Sequence, residues 1–225
     1  MGNQTDRGQE PDSVVRARFL DAVAEHVPFD GWTRQAIDKA VDDLGLAPEQ
    51  AAELPADGIS ALREWSMLLD RRAVEAASQE FEPTTRVRDK IILAVRRRLE
   101  LMEPHAEAAR RATVLLAIPV NALTSIRCLH HTVDAIWYAA GDAATDYNYY
   151  TKRGLLASVY GATLLYWLSD PSPGKANTWA FLERRIDDVM KIPGSLANLR
   201  GRFGGLQNPR EVIDKLRRAQ RWTYR

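Results

Sequence analysis

Asp142 and Asp146 stand four residues apart beside Gly141 and Asn148, with Cys128, His130 and His131 a short way upstream. Carboxylates so spaced can hold a cation or move a proton, or they can cap helices. Asp146 and Thr145 are good N-cap residues for a helix that follows them, and Asp142 can bond the backbone of the turn, so their neighbours favour capping. The adjacent histidines point about 100° apart on a helix, whereas a two-ligand helical metal pair needs i,i+4 spacing. No Glu-x-x-His pair and no phosphate-binding glycine loop occurs in the sequence. Cys128 is the only cysteine, which excludes a disulfide framework and a Cys-based zinc site and fits a reducing compartment such as the bacterial cytoplasm. As a lone thiol it reads as a small buried residue rather than a nucleophile. Neither catalysis nor a metal or cofactor is expected.

Tyr147, Tyr149 and Tyr150 cannot all face one side of a helix, so some must meet a surface or a cavity mouth. Beside Ile136 and Trp137 an exposed aromatic would be an interface anchor and a buried one ordinary packing, and the residues leave both readings open. Lys152 and Arg153 come too early in the same helix to favour its dipole and are expected to pair with carboxylates elsewhere. Charge is unevenly spread: positions 12–80 hold seven Lys/Arg against fourteen Asp/Glu, and positions 196–225 hold eight against two. The formal net charge of +1 therefore conceals an acidic stretch and a basic one.

The elements that must position these groups are helices. Apolar residues recur at three-and-four spacing, and no segment alternates with period two between turn signals, so the class is all-α with about nine to eleven helices. Val15, Phe19, Ala22 and Val23 predict a helix over 13–26, opened by Ser13 and ended by Pro28. Ala36, Ile37, Ala40, Val41 and Leu44 predict another over 33–44, stopped by Gly45, after which Pro48 opens a short helix. That outline is a helix-turn-helix. Its second helix, 48–54, offers Glu49, Gln50 and Glu53 but no Lys or Arg, the residues on which phosphate contact depends. DNA binding is not expected, and these helices read as a packing subdomain.

Further helices are predicted over 59–77, over 84–102 with Val87, Ile91, Val95 and Leu99 in register, over 106–140 with a break or kink at Pro119, over 147–168, and over 179–191 with a stop at Pro193-Gly194. Segment 155–168 is apolar nearly all round and belongs inside. With 114–126 it either fills a core or, with Pro119 holding two segments apart, walls an apolar cavity. The longest apolar stretch, 154–168, has about 15 residues, short of the roughly 20 that cross a bilayer. Residues 1–11 are polar, lack the pattern of a signal or mitochondrial leader, and read as a short disordered lead. In a last helix, Val212, Ile213 and Leu216 share a face that Lys215 and Arg218 crowd, and Trp222 follows. This pattern suits an anionic membrane surface, with docking on the chain's own body as the alternative.

The run Ile136-Trp-Tyr-Ala-Ala-Gly-Asp-Ala-Ala-Thr-Asp-Tyr-Asn-Tyr-Tyr-Thr-Lys-Arg153, with apolar 155–168 and Phe181-Leu-Glu-Arg-Arg-Ile186 behind it, resembles a family signature. The family is that of the lipid-binding accessory proteins of ubiquinone (coenzyme Q) biosynthesis. In its signature an aromatic pair and Ala-Gly-Asp lead to Ser/Thr-Asp-Phe/Tyr-Asn, two aromatics, Thr and two basic residues. The likeness runs over 19–190 and is strongest over 133–185. It implies a TetR-regulator-like all-α bundle with a degenerate N-terminal helix-turn-helix. The expected parts are a helix-turn-helix-like subdomain at 13–80, a lipid-binding and dimerisation core at 84–193, and a basic amphipathic helix at 206–225.

The resemblance further implies a homodimer with an apolar pocket for an isoprenoid or phospholipid, expected at Leu115, Leu116, Ile118, Leu123, Leu155, Val159, Leu164 and Trp167. It implies a di-iron hydroxylase as partner, met by Ile136, Trp137, Asp146, Tyr149, Tyr150 and Arg153. Tyr149 stands where eukaryotic members are expected to carry tryptophan. Membrane contact is expected of Val212, Ile213, Lys215, Leu216, Arg218 and Trp222, at the cytoplasmic face of a bacterial inner membrane. The implied function is to take a polyprenylated quinone precursor from the membrane and present it to the hydroxylase, without catalysis. A ligand-sensing transcriptional regulator and a ligand-free helical scaffold are the alternatives.

Overall fold

Nine α-helices and no strand make up residues 12–141 and 147–202, which the computed structural model describes, with side chains described for 12–141 and 151–190. The helices are α1 (Asp12–Asp30), α2 (Arg34–Leu44), α3 (Pro48–Ala52), α4 (Gly58–Gln79), α5 (Val87–Leu101), α6 (Ala106–Ala117), α7 (Ala122–Ala139), α8 (Tyr147–Ser169) and α9 (Ala176–Arg202). Described residues up to Ile186 form one compact unit, and those from Asp187 onward belong to a second. The all-α reading of the sequence holds.

Local chemistry sets most helix ends. Gly45 adopts φ +58°, and its N–H and that of Leu46 bond the carbonyls of Asp42 and Val41 at 3.1 and 3.2 Å, which closes α2 as the sequence predicts. Pro48 then opens α3, which is only five residues long. Asp57 caps α4 by accepting from the Ser60 N–H at 2.9 Å. At the turn after α8, Asp170 accepts from the Thr178 N–H and hydroxyl at 2.9 and 2.6 Å, and so starts α9.

Two predicted stops are overrun. α1 continues through Pro28 to Asp30, because a proline already has helical φ and forfeits one donor only, and Gly31 at φ +69° ends the helix instead. α9 likewise runs past Pro193-Gly194 to Arg202. Proline and glycine cost a helix about 3 and about 1 kcal/mol, penalties that further turns on either side can absorb. The long apolar run 106–140 resolves into two helices, with α6 and α7 meeting at a 93° bend around Pro119. No single helix among the described residues is long and apolar enough to cross a membrane, although this bent pair passes the same test together.

Burial follows the helical stripes. Phe19, Leu20 and Val23 of α1, Ala36 and Ile37 of α2, Leu62 and Leu69 of α4, and Ile91, Val95 and Leu99 of α5 are all buried. α1 packs on α2, α4 and α6, while α4 lies between α5 and α7, so the helix-turn-helix shares one body with the core helices. α8 departs from expectation. Leu156, Val159, Tyr160 and Trp167 are buried, but Leu165 is 59% exposed and Tyr166 lies over Phe181 with ring centroids 4.8 Å apart. One face of this apolar helix is open rather than enclosed.

Candidate functional site

The space between α4, α5, α6, α7 and α8 is a cavity of about 350 Å³. It exists because small side chains face one another there. Ala109, Ala112 and Ala117 of α6 and Gly161 of α8 line it, and a Cβ added at Gly161 would meet nothing within 4 Å. The right-angled bend at Pro119 keeps α6 from lying along α7 and closing the gap. Leu62 and Trp65 of α4, Leu116 of α6, Leu129 of α7 and Leu164 of α8 give the wall its apolar character.

One side of the wall is polar. Arg98, 4% exposed, donates through Nε to Asp70 Oδ1 at 2.5 Å, through Nη2 to Ser66 Oγ at 2.9 Å, and through Nη1 to the Tyr160 hydroxyl. Asp70, 2% exposed, also accepts from Thr132 Oγ1 at 2.9 Å and lies 2.7 Å from His131 Nδ1. Arg98, Ser66, Tyr160, Thr132 and Cys128 all line the cavity.

Burial pushes the Asp70 carboxyl upward, but the Arg98 charge and the hydrogen bonds from His131, Arg98 and Thr132 outweigh it and leave the group below the usual carboxylate range. Arg98 is likewise held above its ordinary value, burial being overcome by the charge of Asp70 and the hydrogen bond to it. Burial raises the Tyr160 hydroxyl and the Cys128 thiol, so both stay protonated near neutrality. Trp65 Nε1 is buried without an acceptor among the described residues, and such an orphan donor costs about 1–3 kcal/mol.

The structure gathers only part of the sequence-predicted lipid set. Leu116 and Leu164 line the cavity. Val159 and Trp167 are buried in packing away from its wall, and Leu115 and Leu155 are half-buried outside it. Ile118 and Leu123 face outward at 43% and 70% exposure, a correction that follows from the bend: the outer faces of α6 and α7 turn away from the interior there. α4 and α5 supply what periodicity missed. Arg98 sits in register with buried Ala94 and Val95 on the apolar stripe of α5, and Asp70 with buried Ala73 and Ala77 on α4. A charge at a core position on each of two helices was the available signal.

The predicted partner patch is also redistributed. Ile136 and Trp137 are 2% and 6% exposed, and Trp137 Nε1 donates to the Lys152 carbonyl at 3.2 Å. Arg153 is buried against Asp134 at 2.6 Å, the kind of carboxylate pairing expected of it. These three are corrected from surface anchors to interior groups, because their helix faces pack on one another, and the neighbouring exposed aromatic is Tyr138 at 79%. Asp146 lies outside the described residues, as do the side chains of Tyr149 and Tyr150 and all of Val212, Ile213, Lys215, Leu216, Arg218 and Trp222. Among the described residues no group of three or more His, Cys, Asp or Glu side chains is placed to hold a metal.

This all-helical bundle, with a reduced helix-turn-helix and an apolar cavity between its core helices, has a TetR-like fold. The fold is similar to that of a TetR transcriptional regulator from Nitrosomonas europaea, with a TM-score of 0.62 at 16% identity over 79% of this chain and 98% of that one. In sequence, residues 122–193 match the COQ9 family model. The chain is 33% identical over 204 residues to the mitochondrial ubiquinone biosynthesis protein COQ9 of Drosophila melanogaster, covering 89% of this chain and 63% of that protein. Against the human protein of the same name it is 32% identical over 199 residues, covering 85% of this chain and again 63% of the relative. The chain is thus a homologue of these COQ9 proteins and matches the COQ9 family model over part of its length. It spans about 63% of the length of these relatives.

Proposed function

We propose that this chain is a non-catalytic, lipid-binding accessory protein of ubiquinone biosynthesis, which takes a polyprenylated quinone precursor at a membrane and presents it to a di-iron ring hydroxylase. The observation that carries the reading is the cavity, at about 350 Å³ within the range of small-molecule sites, in a chain similar to the COQ9 proteins. Its wall holds a ligand by burying apolar surface, at roughly 25 cal/mol per Å², rather than by net charge. Asp70 balances Arg98. The polar side therefore suits an uncharged oxygen, such as a ring hydroxyl or carbonyl, better than a free anion. A tail of many isoprene units exceeds this volume, so the cavity takes the ring and the tail's first units.

In this reading the chain works as a homodimer. The hydroxylase meets the surface around Tyr138, Asp146, Tyr149 and Tyr150, and the basic, amphipathic sequence at 206–225 rests on the membrane. The relatives are named mitochondrial, while the lone cysteine fits the bacterial cytoplasm as well. A DNA-binding role is not proposed, because α3 carries no Lys or Arg and positions 12–80 are acidic.

Trp65 gives the test, since it lines the cavity and a bound quinone quenches indole emission. Titrating a short-chain prenylquinone into delipidated protein should give saturable quenching that Trp65→Phe largely removes. Quenching that is linear, or indifferent to Trp65→Phe, would contradict binding at this site.

A further inference from the structure

Five of the twelve large apolar side chains exposed among the described residues fall within 114–126, around the corner where α6 meets α7. They are Val114, Ile118, Val120, Leu123 and Ile126, at 65%, 43%, 86%, 70% and 63% exposure. Single exposed apolar residues are ordinary, whereas a cluster marks a contact surface.

Charge is graded along both arms of this corner. Toward it, the outer face of α6 reads Arg110, Arg111, Val114, Ile118; away from it, the outer face of α7 reads Leu123, Ile126, Arg127, His130. No Asp or Glu occurs between residues 108 and 133. Arg110 and Arg111 share the single carboxylate of Glu107, and Arg127 is exposed and makes no ion pair among the described residues. At 1.5 Å per residue Arg110 and Arg111 stand about 10–12 Å along the chain from Ile118 and Arg127 about 6 Å from Leu123; with the arms meeting at 93° this puts the cations roughly 4–8 Å behind the apolar tip, comparable to the depth at which an interfacial apolar face seats. The inner face of the same helices, with Leu116, Ala117, Ser125 and Leu129, walls the cavity.

We propose that the α6–α7 corner seats in an anionic lipid surface, its apolar tip at the acyl boundary and its arginines at the phosphates, so that lipid enters the cavity from the bilayer between these helices. The proposal rests on the lipid-carrier reading above. A second copy is the poorer occupant, since a two-fold contact through this corner brings like-charged collars together.

The test uses the full chain with a nitrobenzoxadiazole label on Val120→Cys. The native chain carried through the same labelling is the control for reaction at Cys128, which is 5% exposed. With phosphatidylcholine vesicles containing phosphatidylglycerol, emission should shift to the blue and be quenched by spin-labelled acyl chains, while the same label on Glu75→Cys of α4 should not respond. Val120→Ser with Leu123→Ser touches no buried contact and should weaken vesicle partition by roughly tenfold or more. Arg127→Glu should weaken it on anionic vesicles only. Vesicle binding with an unshifted Val120 label would overturn the proposal, as would failure of the native chain to bind. So would a double serine variant that turns a dimer into monomers while binding vesicles as before. A chain that co-purifies with lipid yet shows no shift keeps the carrier reading and loses this route of entry.

Discussion

Arg98 and Asp70 form an ion pair almost wholly removed from water, at 5% and 1% side-chain exposure. Such a pair adds little net stability over well-packed apolar residues, but removing one partner strands the other charge. Arg98→Leu is therefore expected to cost about 3–5 kcal/mol in urea unfolding, and a loss below about 1 kcal/mol would mean that Asp70 finds compensation elsewhere. His131 responds to pH. Its hydrogen bond to Asp70 raises its pKa, with burial and Arg71 opposing and Asp134 assisting. The folded state thus holds the proton more tightly than the unfolded one. The resulting stability is complete below the ordinary histidine value of about 6.5 and is lost as pH rises through the folded value. His131→Gln should therefore lower Tm more near pH 6 than near pH 8. The ring is half-exposed, so screening keeps the effect modest, and an equal loss at both values would contradict it. At this scale the sequence was only partly legible. Leu116 and Leu164 were recognisable as apolar wall; Arg98 and Asp70 stand in register with the apolar stripes of α5 and α4, but nothing local says that the two charges meet, and Ile136 and Trp137 gave no sign of which helix face would be covered.

Helices were the most legible level, because their stripes, caps and glycine stops are local. Gly45, Pro48 and the break at Pro119 fall where the sequence puts them. Pro193-Gly194 did not stop its helix, since a local penalty is overruled when turns on both sides are stable, and Pro28 is carried in the last turn of α1, which ends two residues later at Asp30. The position of α4 depends on a contact that no local pattern reveals. A Cβ on Gly58 would stand 2.0 Å from the Trp32 carbonyl oxygen and 2.3 Å from its carbon, so glycine allows the start of α4 to press on the backbone before α2. Trp32 in turn packs on Trp65, ring centroids 5.3 Å apart, at the cavity wall. Gly58→Ala is expected to destabilise by about 1–3 kcal/mol in thermal melts followed by circular dichroism, and an unchanged melt would show that α4 shifts freely.

At the scale of the whole molecule, the account joins three features: an acidic helix-turn-helix without cations on α3, an apolar cavity with one neutralised polar side, and an apolar corner collared by arginines. The fold was legible in the sequence through the helical periodicity, and the likeness to the COQ9 proteins through the run 136–153. The extent of the cavity was not, because it depends on which small residues, Ala109, Ala112 and Gly161, end up opposite one another. Native mass spectrometry of the gently purified full chain, beside a Leu116→Trp, Leu164→Trp variant that fills the cavity, tests the central claim most directly. The account predicts an isoprenoid or phospholipid adduct on the native chain and its loss from a variant that still folds. A native chain that emerges empty from membrane-exposed preparations, or a folded variant that keeps its adduct, would contradict it.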